Sequence, residues 1–317
     1  MRRLKSGVAA MAGVAVAALL TTGAFAADAN LTMVIYGTTG NPFWSKVVAG
    51  AEEAAKALGA DVTIQFANDD PVQQSQLVEA ALARGTTGIG LALNVDDAYD
   101  NVVKTARAQG VPVIAFNVDD SAGAAGNARQ AFIGQDFREA GYLIGKAVAA
   151  EAGLKSGDKT VCPVEHPGAV YAVQRHEGVE RAMKEVGATC EIIGTGGISL
   201  EDTLTKLTQY LVGHPDTKAV IGLGGMPTEM APKAVQDARM SIPNGGFDLS
   251  EVIIQNVIDG KTLATVDQQP FYQGYMTVTQ LYYAGKYGLT PASINTGAAL
   301  VDKASAPIVL QLAKTVR

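Results

Sequence analysis

The sequence predicts an α/β protein made of two Rossmann-like lobes, each built around a parallel sheet. Short β-branched runs alternate with amphipathic stretches of helical length along nearly the whole chain. That alternation is typical of βαβ units, in which helices join parallel strands. The pattern restarts after a polar linker at 153–159, and 317 residues are enough for about two domains. We therefore expect a cleft between two lobes.

The first 26 residues are typical of a secretory signal peptide. They combine a basic start (MRRLK), an apolar run at 7–20 and an AFA cleavage signal that ends at Ala26. We expect cleavage after about Ala26 and a soluble periplasmic product. Loss of the three basic residues of this segment changes the net charge from −6 to −9. An acidic protein of this kind is unsuited to nucleic acid, so no nucleic-acid partner is expected.

The first set of elements begins with β-branched runs, which predict strands at 31–36, 62–66, 88–93, 112–117 and 131–134. Helical spacing of apolar residues predicts helices at 43–58, 73–83 and 98–108. Each of these helices is followed by a glycine suited to the left-handed C′ position: Gly59, Gly85 and Gly110.

The second set follows the same rules. Its predicted strands lie at 160–164, 190–193, 219–223, weakly near 246–247, at 262–268 and at about 298–301. Its predicted helices lie at 139–151, 171–186, 200–212, 228–238, 250–258 and 271–287.

Residues 39–44, TGNPFW, follow the first strand and begin the first helix. Asn41 suits the N-cap, and Pro42 suits the first helical position. Phe43 and Trp44 then lie at the carboxyl end of the first strand, where ligands bind in open α/β sheets. Taken alone, the two rings are equally compatible with anchoring the helix in the core and with lining the cleft.

Motifs for common chemistries are missing from the sequence. Its glycine-containing strand ends lack the spacing of a dinucleotide fingerprint, and its three histidines lack metal-ligand spacing. No G-x-S-x-G nucleophile elbow occurs. We therefore expect no cofactor, no metal site and no catalytic residue.

The predicted cleft is instead rich in aromatic, amide and carboxylate side chains. Aromatic faces cover the C–H faces of a sugar, while Asn, Asp and Gln bind its hydroxyl groups. This combination suits a neutral polyhydroxylated ligand. The strand-end residues that supply it are Asn41, Phe43, Trp44, Asn117, Asp119, Asp120, His166, Gln174, Met226, Asp248 and Gln268.

Two cysteines, Cys162 and Cys190, fall in consecutive predicted strands of the second lobe. In an exported protein such a pair is a candidate disulfide, and neighbouring strands bring it within reach. Two free buried thiols are the alternative.

Several ordered motifs together resemble a known family. They are residues 40–44 (GNPFW), 51–55 (AEEAA), 110–117 (GVPVIAFN), 132–136 (FIGQD), 246–248 (GFD) and 267–274 (DQQPFYQG). The mature chain resembles the periplasmic sugar-binding proteins of ABC importers, in the branch of the ribose- and galactose-binding proteins. The resemblance implies the type I periplasmic binding protein fold, with a three-segment hinge near Gln135, Gln268 and Val301. The lobes would then be 31–134 plus 269–299, and 135–268 plus 300–317.

The resemblance also implies site roles. Asn41 would bind ligand hydroxyls, Phe43 and Trp44 would stack on the sugar, and Asp248 and Gln268 would bind ligand from the second lobe and the hinge. Asn117 stands where the family usually has aspartate. Two ligand-binding arginines of ribose-type members are replaced by Val118 and Val173. The ligand is therefore expected to differ from ribose, with His166, Gln174 or Asp119 supplying replacement contacts.

The expected function is capture of a small neutral sugar or polyol by a monomer that delivers it to a membrane permease and catalyses nothing. Two alternatives remain at this stage. One is a receptor that presents a sugar-like signal, an autoinducer or a chemotactic ligand, to a membrane sensor. The other is a periplasmic sugar-acting enzyme, which needs a general acid and a base facing each other across the cleft.

Overall fold

The structure is a computed structural model that describes residues 29–196, 199–297 and 299–312. The predicted signal peptide at 1–26 lies outside the described residues. The described chain folds into two α/β lobes with mainly parallel sheets, which confirms the predicted fold class.

The strands, in chain order, are β1 (Asn30–Ile35), β2 (Asp61–Phe66), β3 (Gly88–Leu91), β4 (Val113–Asn117), β5 (Ala131–Gly134), β6 (Lys159–Val164), β7 (Thr189–Gly194), β8 (Thr217–Gly222), β9 (Asn244–Phe247), β10 (Ala264–Val266), β11 (Ile294–Asn295) and β12 (Leu300–Asp302). The helices are α1 (Pro42–Leu58), α2 (Pro71–Ala83), α3 (Asp100–Ala108), α4 (Phe137–Glu151), α5 (Val170–Val186), α6 (Leu200–Gly213), α7 (Gly225–Asp237), α8 (Glu251–Ile258), α9 (Pro270–Tyr287) and α10 (Ala306–Leu312).

Two sheets divide these strands. Within the described residues, the first lobe has the strand order β11-β5-β4-β3-β1-β2 and the second has β12-β10-β9-β8-β6-β7. All pairings are parallel except β10 with β12. The chain passes between the lobes after β5, after β10 and between β11 and β12. Each sheet reverses its strand order at one point, between β1 and β3 and between β6 and β8, and ligands bind at such points.

The first helix begins where the sequence places it. Asn41 has an extended backbone and its Oδ1 accepts a hydrogen bond from the Phe43 backbone N–H at 2.9 Å. This bond satisfies one of the unpaired donors of the first turn. Gly59 ends the helix in the left-handed region with φ 63°. The cap fixes the direction in which the chain enters α1, and therefore the position of Phe43.

Each lobe also contains a pair of helices that cross at glycine. A Cβ on Gly50 or Gly274 would lie 2.0 Å from the backbone oxygen of the facing helix, so only glycine allows α1 and α9 to pack this closely. In the second lobe, Gly141 and Gly178 allow the same close packing of α4 and α5. A Cβ on either glycine would lie 2.1 Å from a backbone oxygen of the facing helix. The second of these crossings holds α5, which carries Arg175, against α4.

The structure contains the disulfide between Cys162 and Cys190, with Cα atoms 5.7 Å apart. Cys162 lies on β6 and Cys190 on β7, and these strands are neighbours. The bond joins residues that are diagonal to each other in the register, since Cys162 pairs with Ile192 and Cys190 with Thr160.

Some boundaries differ from those expected. The predicted strand at 262–268 is shortened to β10, because Asp267 and Gln268 enter the second crossover instead. The helix expected at 228–238 begins three residues earlier as α7, with Pro227 in its first turn. β11 and α10 have no counterpart in the sequence prediction, since two strand residues and seven helical residues give too little periodicity.

Candidate ligand-binding cleft

The strand-order reversals of the two sheets face each other across the cleft. Tyr36 is the first residue after β1 and Glu165 is the first after β6. Burial raises the pKa of Tyr36, and Arg175, Asp248 and Glu165 of the opposite lobe also act on its hydroxyl electrostatically. These interactions place Tyr36 in one electrostatic cluster with side chains of the second lobe.

Arg175 is the cation of this cluster and is only 2% exposed. Its guanidinium carbon lies 4.1 Å from the ring centre of Phe247 and 4.9 Å from that of Phe137. Its Nη1 donates to the Leu223 carbonyl at 2.7 Å, and its Nη2 lies 3.7 Å from Asp248 Oδ1. Aromatic faces and a paired carboxylate compensate for the charge in this way. The guanidinium is therefore held in one orientation by elements of the second lobe.

Asn117, Gln268 and Asp248 form a hydrogen-bonded chain from one lobe to the other. Asn117 ends β4, Gln268 lies in the second crossover and Asp248 follows β9. Asn117 Nδ2 donates to Gln268 Oε1 at 3.4 Å, and Gln268 Nε2 donates to Asp248 Oδ1. Three predicted site residues are thus brought together at the hinge.

Two of these three hydrogen-bonded residues have an unusual backbone conformation. Asn117 has φ 63° and Asp248 has φ 70°, which is the left-handed region. Non-glycine residues adopt it at a cost, and such residues cluster at binding and active sites. Both lie directly at a strand end, where the turn aims the side chain across the cleft rather than along the strand.

Glu165 supplies a second carboxylate in the second lobe and, like Asp248, is half-buried. Its Oε1 accepts from the Met226 backbone N–H at 3.0 Å, and its Oε2 accepts from the Tyr171 hydroxyl at 3.3 Å. Burial raises the pKa of Glu165, and the negative charge of Asp248 raises it further. The carboxylate lies against Gly224, since a Cβ there would lie 2.0 Å from Glu165 Oε2 and would displace the Glu165 side chain.

Trp44 and Phe43 have different positions. Trp44 is 3% exposed, and its indole packs edge-on against the rings of Tyr36, Phe43 and Phe116. It also covers Gly37, where a Cβ would lie 2.1 Å from the indole nitrogen. This burial favours the core alternative for Trp44, and its role as a stacking surface stays a prediction. Phe43 is half-buried and remains the ring available to a ligand.

A separate cavity of about 340 Å³ lies beside the first crossover and is lined by three other predicted residues, Asp119, Asp120 and Gln174. Both lobes line it, but the described lining residues do not include Asn117, Asp248 or Gln268. The predicted site residues are therefore divided between a central cluster and this cavity.

The carboxylate of Asp119, a predicted ligand contact, is already paired with Arg129. Arg129 donates from Nε to Asp119 Oδ1 at 2.7 Å and from Nη2 to Oδ2, so both carboxylate oxygens are engaged. Burial raises the pKa of Asp119, while the Arg129 hydrogen bond and charge lower it. A carboxylate held bidentately by arginine has little capacity left for ligand hydroxyls.

Asn41 and His166 are both exposed at the edge of the cleft. The Asn41 side chain oxygen caps α1, which leaves its amide N–H groups for another acceptor. His166 directly follows Glu165, and its backbone oxygen accepts a hydrogen bond from the Ala169 N–H at 3.0 Å. The structure does not join either side chain to the central cluster.

One group of carboxylates has the proximity that a metal site needs. Oxygens of Asp97, Asp100 and Asp120 lie within 4.8 Å of one another among the described residues. Asp100 lies 3.8 Å from Lys104, and Asp120 accepts from the Ala122 backbone N–H at 2.7 Å. These internal partners and the exposure of Asp97 are ordinary for loop acids, so we assign no metal to the group.

Comparison with known proteins settles the family. A profile of the periplasmic binding protein domain matches residues 32–288. The chain belongs to the periplasmic binding protein family. It is 27% identical to the xylose/arabinose-binding protein of Sulfolobus acidocaldarius over 286 residues, which are 84% of this chain and 69% of that protein.

Other members are similar over more of their length. Identity to the D-apiose import binding protein of Paraburkholderia graminis is 28% over 292 residues, covering 91% of this chain and 92% of that one. A solved carbohydrate transporter from Acidothermus cellulolyticus, in complex with myo-inositol, superposes with a TM-score of 0.80 at 25% identity, covering 90% and 98% of the two chains. The resemblance to sugar-binding members of ABC importers is therefore confirmed. Across the described part of the chain, no helix combines the length and apolar character needed to cross a bilayer.

In this periplasmic binding protein, the sequence prediction missed Tyr36, Glu165, Tyr171 and the cleft position of Arg175. Tyr36 and Glu165 directly follow strands β1 and β6, so the same strand-end rule that selected Asn117 would have selected them. Arg175 restores a guanidinium to a cleft from which both expected arginines are missing. No sequence signal separates it from a structural arginine, because its position depends on aromatic faces from other elements.

Proposed function

We propose that the protein captures a small neutral sugar or polyol between its lobes and delivers it to the permease of an ABC importer. The observation that carries this proposal is the chain Asn117–Gln268–Asp248, which joins both lobes at the hinge through side chains suited to hydroxyl groups. A ligand that bonds to these groups contacts both lobes at once and so favours the closed arrangement.

The chemistry of the other groups supports an uncharged, hydroxyl-rich ligand. Amide groups donate and accept, and carboxylates accept, so the cluster can satisfy a ring of hydroxyl groups in both directions. The half-buried face of Phe43 suits the C–H face of a sugar. The names of similar proteins specify xylose or arabinose, D-apiose and myo-inositol, all of which are uncharged polyhydroxylated compounds.

We further propose that the two lobes comprise 31–134 with 269–299 and 135–268 with 300–317, and that the protein acts as a monomer. Amide side chains connect the crossovers: Gln135 Nε2 donates to the backbone oxygens of Asp267 at 3.2 Å and of Gly297 at 2.8 Å. Side-chain rotation at such bonds lets the crossovers absorb the backbone changes of closure.

The first experiment identifies the ligand. The protein is expressed with its signal peptide, and the mature form is purified from the export compartment. Small molecules released from it by denaturation are identified by mass spectrometry. After removal of bound ligand, thermal shift and calorimetry are measured with pentoses, hexoses, disaccharides and polyols. We expect binding of at least one neutral compound and no consumption of it over time. A panel without any thermal shift or heat would contradict the proposal.

Matched variants then locate the site. Asp248→Asn retains the shape of the side chain and should weaken binding about tenfold or more, because a charged acceptor becomes a neutral amide. Asp237→Asn is the control, since Asp237 is on the surface of α7 and pairs with Lys233 at 2.8 Å. Equal affinity of both variants would exclude Asp248 from the site. Loss of cellular uptake of the same compound on deletion of the gene tests delivery to the permease.

A further inference from the structure

Glu165 has no basic partner despite its burial. None of the ion pairs formed by the described residues includes it. Its two hydrogen bonds come from a backbone N–H and a tyrosine hydroxyl, both uncharged donors. A carboxylate offers about four acceptor positions, so about two remain open. A half-buried carboxylate in this condition gains from any further donor that enters the cleft.

Most of the guanidinium in the cluster is occupied within the second lobe, although the buried Nε of Arg175 has no hydrogen-bond partner among the described residues. Arg175 lies between aromatic rings, donates to the Leu223 carbonyl and faces Asp248 at 3.7 Å. Arg175 lies within ion-pair distance of Asp248 but not of Glu165, although its charge also lowers the pKa of Glu165, so two carboxylates share one cation. Asp248 also raises the pKa of Glu165, which shows that the two carboxylates are close enough to repel each other.

The position of Glu165 is also fixed. Its Oε1 is tied to the backbone at Met226, and its Oε2 lies against Gly224, at the strand-order reversal of the second sheet. Tyr36 of the first lobe interacts electrostatically with the same carboxylate, so Glu165 belongs to a cluster to which both lobes contribute. A carboxylate that is fixed in position and forms no ion pair has the properties of a ligand-binding group rather than of a structural ion pair.

We infer that Glu165 is a specificity-determining residue: together with Asp248 it presents fixed carboxylate oxygens to the hydroxyl groups of an uncharged polyol and rejects sugar acids and sugar phosphates. This inference rests on the proposed function and assigns its ligand class. Hydroxyl donors satisfy the open acceptor positions of Glu165, whereas an anionic group adds a third negative charge beside a single cation. Burial makes that repulsion strong, because the cleft has a lower effective dielectric constant than water.

The test compares chemically matched ligands. D-glucose and D-glucuronate differ only at C6, as do D-galactose and D-galacturonate, so each pair keeps the same ring; myo-inositol is added as a neutral cyclitol. Affinities of ligand-free protein are measured by calorimetry at pH 7 and 150 mM salt. We expect the wild type to bind at least one neutral probe, and to bind the corresponding acid at least a hundredfold more weakly.

Variants of Glu165 separate charge from position. Glu165→Gln should weaken binding of the neutral probe about tenfold or more and reduce the discrimination against the acid by a similar factor. Glu165→Asp withdraws the carboxylate by one methylene, so it should weaken neutral binding and still reject the acid. Glu185→Gln is the control, because Glu185 is exposed on α5 and pairs with Lys146 at 2.6 Å.

The outcomes are distinguishable. A wild type that binds none of the neutral probes nor any other neutral sugar in the wider panel overturns the proposed function and this inference with it. A wild type that binds a neutral probe, with Glu165→Gln unchanged in affinity and in discrimination, overturns the inference alone. So does a wild type that binds a sugar acid as tightly as its neutral partner. Unfolding of the ligand-free variants shows that each is folded before its affinity is interpreted.

Discussion

The two aromatic residues at the start of α1 should respond differently to truncation. Trp44 is 3% exposed and contacts three aromatic rings, so Trp44→Ala removes a large part of the core of the first lobe. Truncation of a buried tryptophan costs about 3–5 kcal/mol. At about 2–4 °C per kcal/mol for proteins of this size class, the melting temperature of the ligand-free protein should fall by about 6–20 °C.

Phe43 is half-buried and packs edge-on against Trp44, with 5.0 Å between the two ring centres. Phe43→Ala should therefore cost about 1–2 kcal/mol of stability, from the lost aromatic pair and part of the ring surface. If a sugar covers roughly 50 Å² of apolar surface in this contact, its loss is worth about 1.3 kcal/mol at 25 cal/mol/Å². That corresponds to about tenfold weaker binding.

The assay is urea unfolding of both ligand-free variants, followed by calorimetry with the ligand found for the wild type. The expected result is a large stability loss at Trp44 and an affinity loss with a small stability loss at Phe43. A Trp44→Ala protein that unfolds like the wild type but no longer binds would refute the reasoning. It would mean that the indole is accessible to ligand and that its packing in the core contributes little.

Three further predictions concern charge, packing and the disulfide. Burial raises the pKa of Glu165 in the folded protein above its usual value of 4.5. Protonated Glu165 therefore contributes to the free energy of unfolding in full below pH 4.5, and this contribution is lost as pH rises through the folded-state pKa. Because glutamine does not titrate, the stability of ligand-free Glu165→Gln relative to the wild type should increase as pH rises. Gly178→Ala should lose about 1–3 kcal/mol or more, because the added Cβ would lie 2.1 Å from the Arg138 backbone oxygen. Replacing Cys162 and Cys190 with alanine should lower the unfolding free energy by roughly 3.5 kcal/mol in the chain-entropy estimate, for a separation of 28 residues.

Each of these is read from unfolding curves of the ligand-free protein. The first uses urea titrations from pH 4 to pH 8, and a stability difference that is independent of pH would contradict it. Gly168→Ala is the control for the second, since a Cβ there meets nothing within 4 Å. Equal stability of the two alanine variants would mean that α4 and α5 can separate freely. For the third, an unchanged midpoint under reducing conditions would show that the bond contributes nothing.

The order of strands and helices could be predicted because each element depends mainly on its own residues. Alternation of β-branched runs with helical spacing located the main elements, and Asn41 and Gly59 placed the ends of α1. The elements that were not predicted, β11 and α10, are short and are held by contacts with distant strands and helices. β11 exists because Ile294 and Asn295 pair with Ile133 and Gly134, more than 150 residues earlier.

The central cluster was only partly predictable. Asn117, Asp248 and Gln268 stand at strand ends or in a crossover, and both kinds of position can be found in the sequence. Asp119 met the same criterion, yet the structure pairs it with Arg129 on the same loop. A strand-end rule selects positions near the cleft but carries no information on which charges are neutralised before a ligand arrives.

That missing information decides the chemistry of this cleft. Two carboxylates stand close to Arg175, and Arg175 reaches only Asp248 because Phe137, Phe247 and the Leu223 carbonyl fix its guanidinium. These partners come from α4, β9 and the end of β8, elements that the chain brings together only on folding. Had the guanidinium turned toward Glu165 instead, Asp248 would hold the unpaired charge beside the hinge. The arrangement observed leaves Asp248 and Gln268 to join the lobes and leaves Glu165, in the lobe opposite Tyr36, to select the ligand.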